Sequence, residues 1–406
     1  MKTMWKKIAS VALAALMVCS LGAVFTGCNS DSGKGNTSLT ANNTEFVIGC
    51  SGPLTGAAAV YGVAVKNSAE MAVAEINAAG GLNGVKFKFV MTDDMHDATK
   101  VATNYASLYE GGMQVSLGTV TTAPGLEWKN LAKDDNVFFL TPSASGDDIP
   151  KDVANGYQMC FADGNQGKVA AEYVSANYAG QTIGVLFRSD DAYSTGIYDQ
   201  FKENLADSVT VVEASFIGDN PSDFSSQIEI LRNCKFLFMP IYAGPAALYM
   251  VQAKDTMAAD TIYYGCDGLD GIESVDNFDI NAIPQEVSML SHFNSKATEG
   301  AAKSFIDKYV STYGTETLNQ FGASAYDCVY AIYNAMKKIA DADSSKISVT
   351  MSASELCELL KAEFNGGFTY SGVTGENITW ETTGYVNKTA IRYVMKAASS
   401  ANQDEE

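Results

Sequence analysis

FVIGCSGPLTG at positions 46–56 and EINAAGGLNGVKFKFV at positions 75–90 decide the fold of this chain. Phe46-Val47-Ile48 is a short apolar run that ends in Gly49 and the turn-forming Ser51-Gly52-Pro53, a buried strand entering a loop. Between the two stretches Val65, Ala69, Ala72 and Ile76 recur three or four apart, one face of an amphipathic helix. Gly80-Gly81 ends that helix, because glycine takes the left-handed conformation at little cost. Val85, Phe87 and Phe89 then alternate with Lys86 and Lys88, as a half-buried strand does. Strand, helix and strand at this spacing make a βαβ unit, whose two strands run parallel.

The unit recurs. A helix over 98–111 leads to a strand over 114–118, and a helix over 123–134 leads to Val137-Phe138-Phe139-Leu140. A second series follows: helix 165–178, strand 182–187, helix 195–206, strand 209–216, helix 222–233 and strand 236–241. Alternating strands and helices imply parallel sheets covered by helices on both faces, and two series imply two lobes. Helices over 298–312, 323–340 and 353–364 return to those lobes, and the Thr-, Tyr- and Val-rich segment 378–395 reads as strands.

Upstream of this body, Lys2, Lys6 and Lys7 precede an apolar run from Ile8 to Phe25, the pattern of a secretory leader over 1–27. The run is also near the lower limit for a membrane-spanning helix. Phe25-Thr26-Gly27-Cys28 resembles the bacterial lipobox, whose cysteine is diacylated and becomes the first residue. Two acyl chains hold a protein on a bilayer where one is marginal. Cys28 is therefore the expected lipidation site, and the chain is expected outside the cytoplasm, anchored to the cell membrane. Residues 28–44 are almost all Asn, Ser, Thr, Gly and Asp and read as a flexible tether; residues 399–406 form an acidic tail.

Composition narrows the partners. The chain carries 27 Lys and Arg against 47 Asp and Glu, a net charge of −20. Loss of the leader removes three lysines and no acid, so the balance becomes more negative. Nucleic acid and anionic membrane surfaces would be repelled. Cys50, Cys160, Cys234, Cys266, Cys328 and Cys357 are far apart, form no Cys-x-x-Cys pair and sit in apolar or helical stretches, so buried free thiols are expected. Export leaves disulfides open as the alternative.

Catalytic chemistry has little to work with. Only His96 and His292 exist, and no Gly-x-Ser-x-Gly elbow, P-loop or Gly-x-Gly-x-x-Gly follows a strand. Asp93-Asp94-Met95-His96-Asp97 lacks the spacing of a metal loop and reads as a solvated loop at a strand end. No cofactor or metal is expected, and binding is the default role.

The joint order of the motifs resembles the leucine/isoleucine/valine-binding proteins, the solute receptors of branched-chain amino-acid ABC importers. The resemblance runs from about 45 to 395. It is carried by 48–56, Tyr61-Gly62, 75–84, Asp93-Asp94, Gly118 with Thr121-Thr122, Thr141-Pro142-Ser143-Ala144-Ser145, Phe224, Gly265-Cys266-Asp267-Gly268, and Gly372-Val373-Thr374-Gly375 with Trp380.

That resemblance implies two doubly wound parallel-sheet α/β lobes joined by a three-crossover hinge, with the ligand in the cleft. The first lobe would be 45–162 plus 293–372, and the second 163–292 plus 373–398. Thr122 falls where the family meets the ligand carboxylate with a hydroxyl and backbone N–H groups, in a loop before a helix. Ser143 and Ser145 fall in the next such loop. Tyr61, Tyr193 and Tyr242 align with aromatic positions that close on the ligand, and Asp267 with the acid that pairs with its ammonium. Ser and Thr after strands are also common helix caps, and tyrosines common packing residues. The chain departs from the leucine-type receptors in two places. Their first-lobe cysteine pair is absent, with His96 at one of its positions and no cysteine near Thr121. Asp267 stands where they carry Glu.

The leading expectation is a monomeric, lipid-anchored receptor, not an enzyme, that captures an amino acid of branched-chain type and delivers it to a membrane permease. The alternatives are a ligand-sensing module without transport and a receptor for an amide, urea or aromatic acid.

Overall fold

The computed structural model describes residues 39–399. The leader 1–27, Cys28, the tether up to residue 38 and the tail from residue 400 lie outside the described residues. Residues 40–44 depart from a free tether. Thr40 is buried and its hydroxyl donates to the Met351 carbonyl at 2.9 Å, while the Asn43 amide donates to the Gly112 carbonyl at 2.9 Å. Short polar side chains here satisfy open carbonyls on the body, which composition alone does not reveal.

Among the described residues eleven strands form two sheets. In the first lobe β1 (Phe46–Gly52), β2 (Phe87–Asp93), β3 (Val115–Thr119), β4 (Phe139–Thr141) and β5 (Gly156–Gln158) are all parallel, in the order β2-β1-β3-β4-β5. In the second lobe β6 (Thr182–Arg188), β7 (Thr210–Phe216), β8 (Phe236–Met239), β9 (Ile262–Gly265) and β10 (Glu286–Ser291) repeat that order as β7-β6-β8-β9-β10. A last strand, β11 (Ile391–Lys396), joins β10 antiparallel. Each sheet therefore has a switch point, between β1 and β3 and between β6 and β8, where loops at the strand ends splay apart and leave room for a ligand.

The connecting helices are α1 (Ala59–Ala78), α2 (Val101–Glu110), α3 (Thr122–Asp134), α4 (Asp163–Asn177), α5 (Ala192–Asn204), α6 (Ser225–Leu231) and α7 (Ala243–Ala253). The remaining three, α8 (Gly300–Tyr313), α9 (Gln320–Ala342) and α10 (Ala353–Asn365), follow β10 in sequence yet pack on α1, β3 and β4 of the first lobe. The chain thus crosses between lobes after β5, after β10 and before β11. All seven residues of β1 are buried, as a central strand covered on both faces requires. A Cβ on Gly62 would stand 1.8 Å from the Pro53 carbonyl oxygen, so glycine there lets α1 carry Tyr61 close against the β1 loop.

The periodic segments match their expected elements to within a few residues. Short β5, β9 and β10, and the helix α7, were not anticipated. Only residues 391–396 of the Thr- and Tyr-rich segment form a strand. Residues 370–390 are the third crossover, held by isolated bridges and by the Trp380 indole, which donates to the Gln158 carbonyl at 2.7 Å. The loop over 93–97 is also not simply solvated: Asp94 is fully buried and accepts the Ser51 hydroxyl at 3.0 Å.

Candidate functional site

The two sets of strand-end loops face each other, and the space between them, about 230 Å³, is lined by Tyr61, Ser143, Ser145, Tyr193, Tyr242 and Asp267, with Val120, Thr121, Gly268 and Phe321. Six of the seven ligand-site residues anticipated from sequence meet here. Thr122 does not line the cavity. Its hydroxyl turns inward and accepts the Gly146 N–H at 3.2 Å, while Thr121 takes the cavity wall.

The first lobe supplies hydroxyls and helix-end amides. α3 begins at Thr122 without a side-chain cap, Pro124 has no N–H and the Gly125 N–H donates to the Thr121 carbonyl at 3.0 Å, so the N–H groups of Thr122 and Ala123 are the ones its first turn leaves open. Ser143 donates to the Val120 carbonyl at 2.7 Å and ties the β4 loop to the β3 loop. Gln158 holds the same loop from below, donating to the Ala144 and Gly146 carbonyls at 3.0 and 3.1 Å. Thr121 shares a 2.8 Å hydrogen bond with His96 Nδ1. That bond ties the β2 loop to the start of α3.

The second lobe supplies aromatic faces and an acid. Tyr193 stacks on Tyr242 with ring centroids 4.6 Å apart. The Tyr193 hydroxyl donates to Asp267 Oδ1 at 2.7 Å and accepts the Gly268 N–H at 2.8 Å. A Cβ on Gly268 would lie 2.6 Å from that hydroxyl, which explains the glycine beside the acid. Gln166 also donates to Asp267 Oδ1, at 3.0 Å. Asp267 is 1% exposed. Burial pushes its carboxyl up to about 6, against the hydrogen bonds from Tyr193 and Gln166 that favour the charged form. Among the described residues no lysine or arginine lines this cavity. Lys388 lies behind the site, where its ammonium donates to Thr374 and feels Asp327.

Tyr61 crosses the cleft. From α1 of the first lobe its hydroxyl donates to the Gly268 carbonyl at 2.6 Å and accepts the Ala243 N–H at 2.9 Å, both in the second lobe. Its ring meets Phe321 edge-on at 5.0 Å. A larger space of about 370 Å³ adjoins the site at Tyr242, lined by His96, Arg188, Asp191 and Asp219 among others. Arg188 pairs with Asp190 at 2.7 Å and with Asp219, whose carboxylate lies 3.7 Å from His96 Nε2 across the lobes. Burial pulls the His96 imidazole below its usual value, partly offset by Asp191 and Asp219.

Gln166, Phe321, Thr121 and Asp163 were not anticipated as site residues. Asp163 and Gln166 begin α4 just after the first crossover, and two buried polar residues in one helical turn are the only sequence signal they leave. All six cysteines among the described residues are free and buried. No group of three or more His, Cys, Asp or Glu among those residues is placed to hold a metal ion, and none of their helices is long and apolar enough to cross a membrane.

Comparison with known proteins adds the family. The periplasmic binding protein family matches residues 45–398. The leucine-, isoleucine-, valine-, threonine- and alanine-binding protein of Pseudomonas aeruginosa is 28% identical over 337 residues, covering 79% of this chain and 85% of that one. Among solved structures, the branched-chain amino-acid binding protein LivJ of Streptococcus pneumoniae, in complex with isoleucine, superposes with a TM-score of 0.74 at 23% identity, covering 87% of this chain and 97% of that one. A solute-binding protein of an R. palustris ABC transporter, in complex with benzoate, superposes with a TM-score of 0.72 at 18% identity, covering 88% and 95%. At such identities the two structures speak for the fold.

Proposed function

This chain belongs to the periplasmic binding protein family, and from that premise we propose that it is an extracytoplasmic receptor that captures a free α-amino acid for an ABC importer. The observation that carries the reading is Asp267, a buried carboxylate in an interlobe cavity lined by no lysine or arginine among the described residues. A buried charge without a partner costs several kcal/mol, and a ligand ammonium supplies the missing one. The ligand carboxylate would meet the first amides of α3 with the hydroxyl of Thr121, as anions do at helix N-termini. Its side chain would lie among Tyr61, Tyr193, Tyr242 and Phe321. A branched aliphatic side chain suits such walls, and the amino-acid-binding relatives favour it. The benzoate-bound relative favours an aromatic acid instead, but a carboxylate-only ligand would leave Asp267 unpaired.

On this reading the lobes are 45–162 with 293–372 and 163–292 with 373–398, and the cleft closes as a hinge on the ligand. Thermal unfolding with each of the twenty amino acids and with benzoate tests the proposal, since a cleft ligand raises stability by mass action. One or more aliphatic amino acids should raise the melting temperature, and benzoate should not. A response to benzoate alone would overturn the amino-acid reading. Cys28 is the proposed lipid anchor. Cys28→Ser should move the protein from the membrane pellet to the soluble fraction; retention in the pellet would remove the anchor.

A further inference from the structure

Asp267 is not the only buried acid at the site. Gln166 Nε2 donates to Asp267 Oδ1 at 3.0 Å and also to Asp163 Oδ1 at 3.3 Å, while Gln166 Oε1 accepts the Asp267 N–H at 2.9 Å. One amide therefore holds two carboxylates. Both are 1% exposed, and Asp163 Oδ2 has no hydrogen-bond partner among the described residues. Asp163 opens α4, where a helix N-terminus favours an acid. That placement explains neither the orphaned oxygen nor the second carboxylate on the same amide.

Two like charges this close and this buried cannot both ionise without a cation. The charges around Asp163 make matters worse: Asp267, Asp147 and Asp191 all oppose its ionisation, against which stand the Ser145 hydroxyl and the long bond from Gln166. Lys388 is spent on Thr374 and Asp327. The empty site thus keeps a proton on this pair. The carboxyl of Asp163 is the one to hold it, since burial and then the Asp267 charge push it well above the usual carboxylate range.

We propose that Asp163 is a specificity-determining residue, the second member of a carboxylate pair that exchanges its proton for the ammonium of the ligand. The exchange balances: the empty pair holds one proton and one negative charge, an R–NH3⁺ group enters, the proton leaves to solvent, and the net charge of the filled site is unchanged. A carboxylate-only ligand brings nothing to exchange and adds a second negative charge. The pair therefore selects for ligands that carry an ammonium. This rests on the reading that Asp267 meets a ligand ammonium, and goes beyond it in assigning Asp163 and a proton.

The test is calorimetric titration of the amino acid that most stabilises the protein, at pH 7, in two buffers of different ionisation enthalpy. The unmutated protein should release close to one proton per ligand, as linkage requires of a group that loses its proton on binding. Asp163→Asn keeps the shape of the side chain. It should abolish that release at pH 7 and weaken binding about tenfold, the loss of one charge-assisted contact. A helix-capping role alone would leave the proton count unchanged. Binding by the unmutated protein with no buffer dependence at pH 7 overturns the proposal, even if the variant does not fold. So does a variant that binds and releases as the parent does. If no amino acid binds the parent, the reading of the ligand has failed, and the proposal falls with it.

Discussion

The two walls of the cleft are made of opposite chemistry. The first lobe offers Thr121, Ser143, Ser145 and the uncapped start of α3: small hydroxyls and amides, all of them neutral. The second offers Asp267, with Gln166 and Asp163 behind it and the stacked Tyr193 and Tyr242 beside it: an acid that accepts, set among aromatic faces. Neither wall alone complements a zwitterion. A molecule with a carboxylate at one end and an ammonium at the other is satisfied only when both walls reach it. Closure and recognition are then one event, and the Tyr61 hydroxyl, bound to Gly268 and Ala243 of the opposite lobe, is in place to hold the closed form.

Changes on the acid wall should therefore cost more than changes on the neutral wall. Asp267→Asn should have the largest effect. It leaves a buried ammonium without its anion, a loss of about 3–5 kcal/mol, or two orders of magnitude or more in affinity. Titration calorimetry reads this directly, and a loss under tenfold would break the contrast between the walls.

Acid should imitate that substitution. Burial sets the carboxyl of Asp267 at about 6 in the empty site, and an ammonium partner lowers it. The share of the affinity that Asp267 contributes is then lost as the pH drops through about 6, adding roughly tenfold per unit below it to the slope that proton release from Asp163 already imposes. Titrations at pH 7 and pH 5 check the sign; a flat profile would mean that Asp267 meets no ligand charge.

Tyr193→Phe keeps the stack on Tyr242 and removes the hydroxyl that donates to Asp267 and accepts from Gly268. Hydrogen bonds to charged groups are worth about 1.5–3 kcal/mol, so affinity should drop by about tenfold or more, and the pH midpoint should move upward. On the opposite wall, Ser143→Ala loses one neutral bond, to the Val120 carbonyl. Its cost of about 1 kcal/mol corresponds to roughly fivefold, with no change in pH dependence. An equal or larger loss at Ser143 would assign the dominant charge contact to the first lobe instead.

Much of this was legible beforehand, for specific reasons. The spacing of Val65, Ala69, Ala72 and Ile76 places α1, and the alternation around Phe87 and Phe89 places β2, because those patterns record which side of each element is buried. Asp267 stood out through its flanking glycines, and Gly268 does make room for Tyr193. Loop geometry, which has no periodicity, turns the Thr122 hydroxyl toward Gly146 and puts Thr121 on the cavity wall. Asp163 and Gln166 escaped notice because a polar pair at a helix start reads as capping until its neighbours are known.

The order of strands and helices, the two lobes and the family are thus properties of the sequence itself, since hydrophobic period and motif order are local and survive without coordinates. Only the tertiary structure decided that Gln166 holds two acids 104 positions apart, Asp163 and Asp267, that Tyr61 spends its hydroxyl on Gly268, and that His96 and Thr121 share a hydrogen bond. Those are meetings between loops at opposite strand ends. The chain writes each loop separately; folding the two sheets with the same strand order and turning their carboxyl ends toward each other is what brings them together.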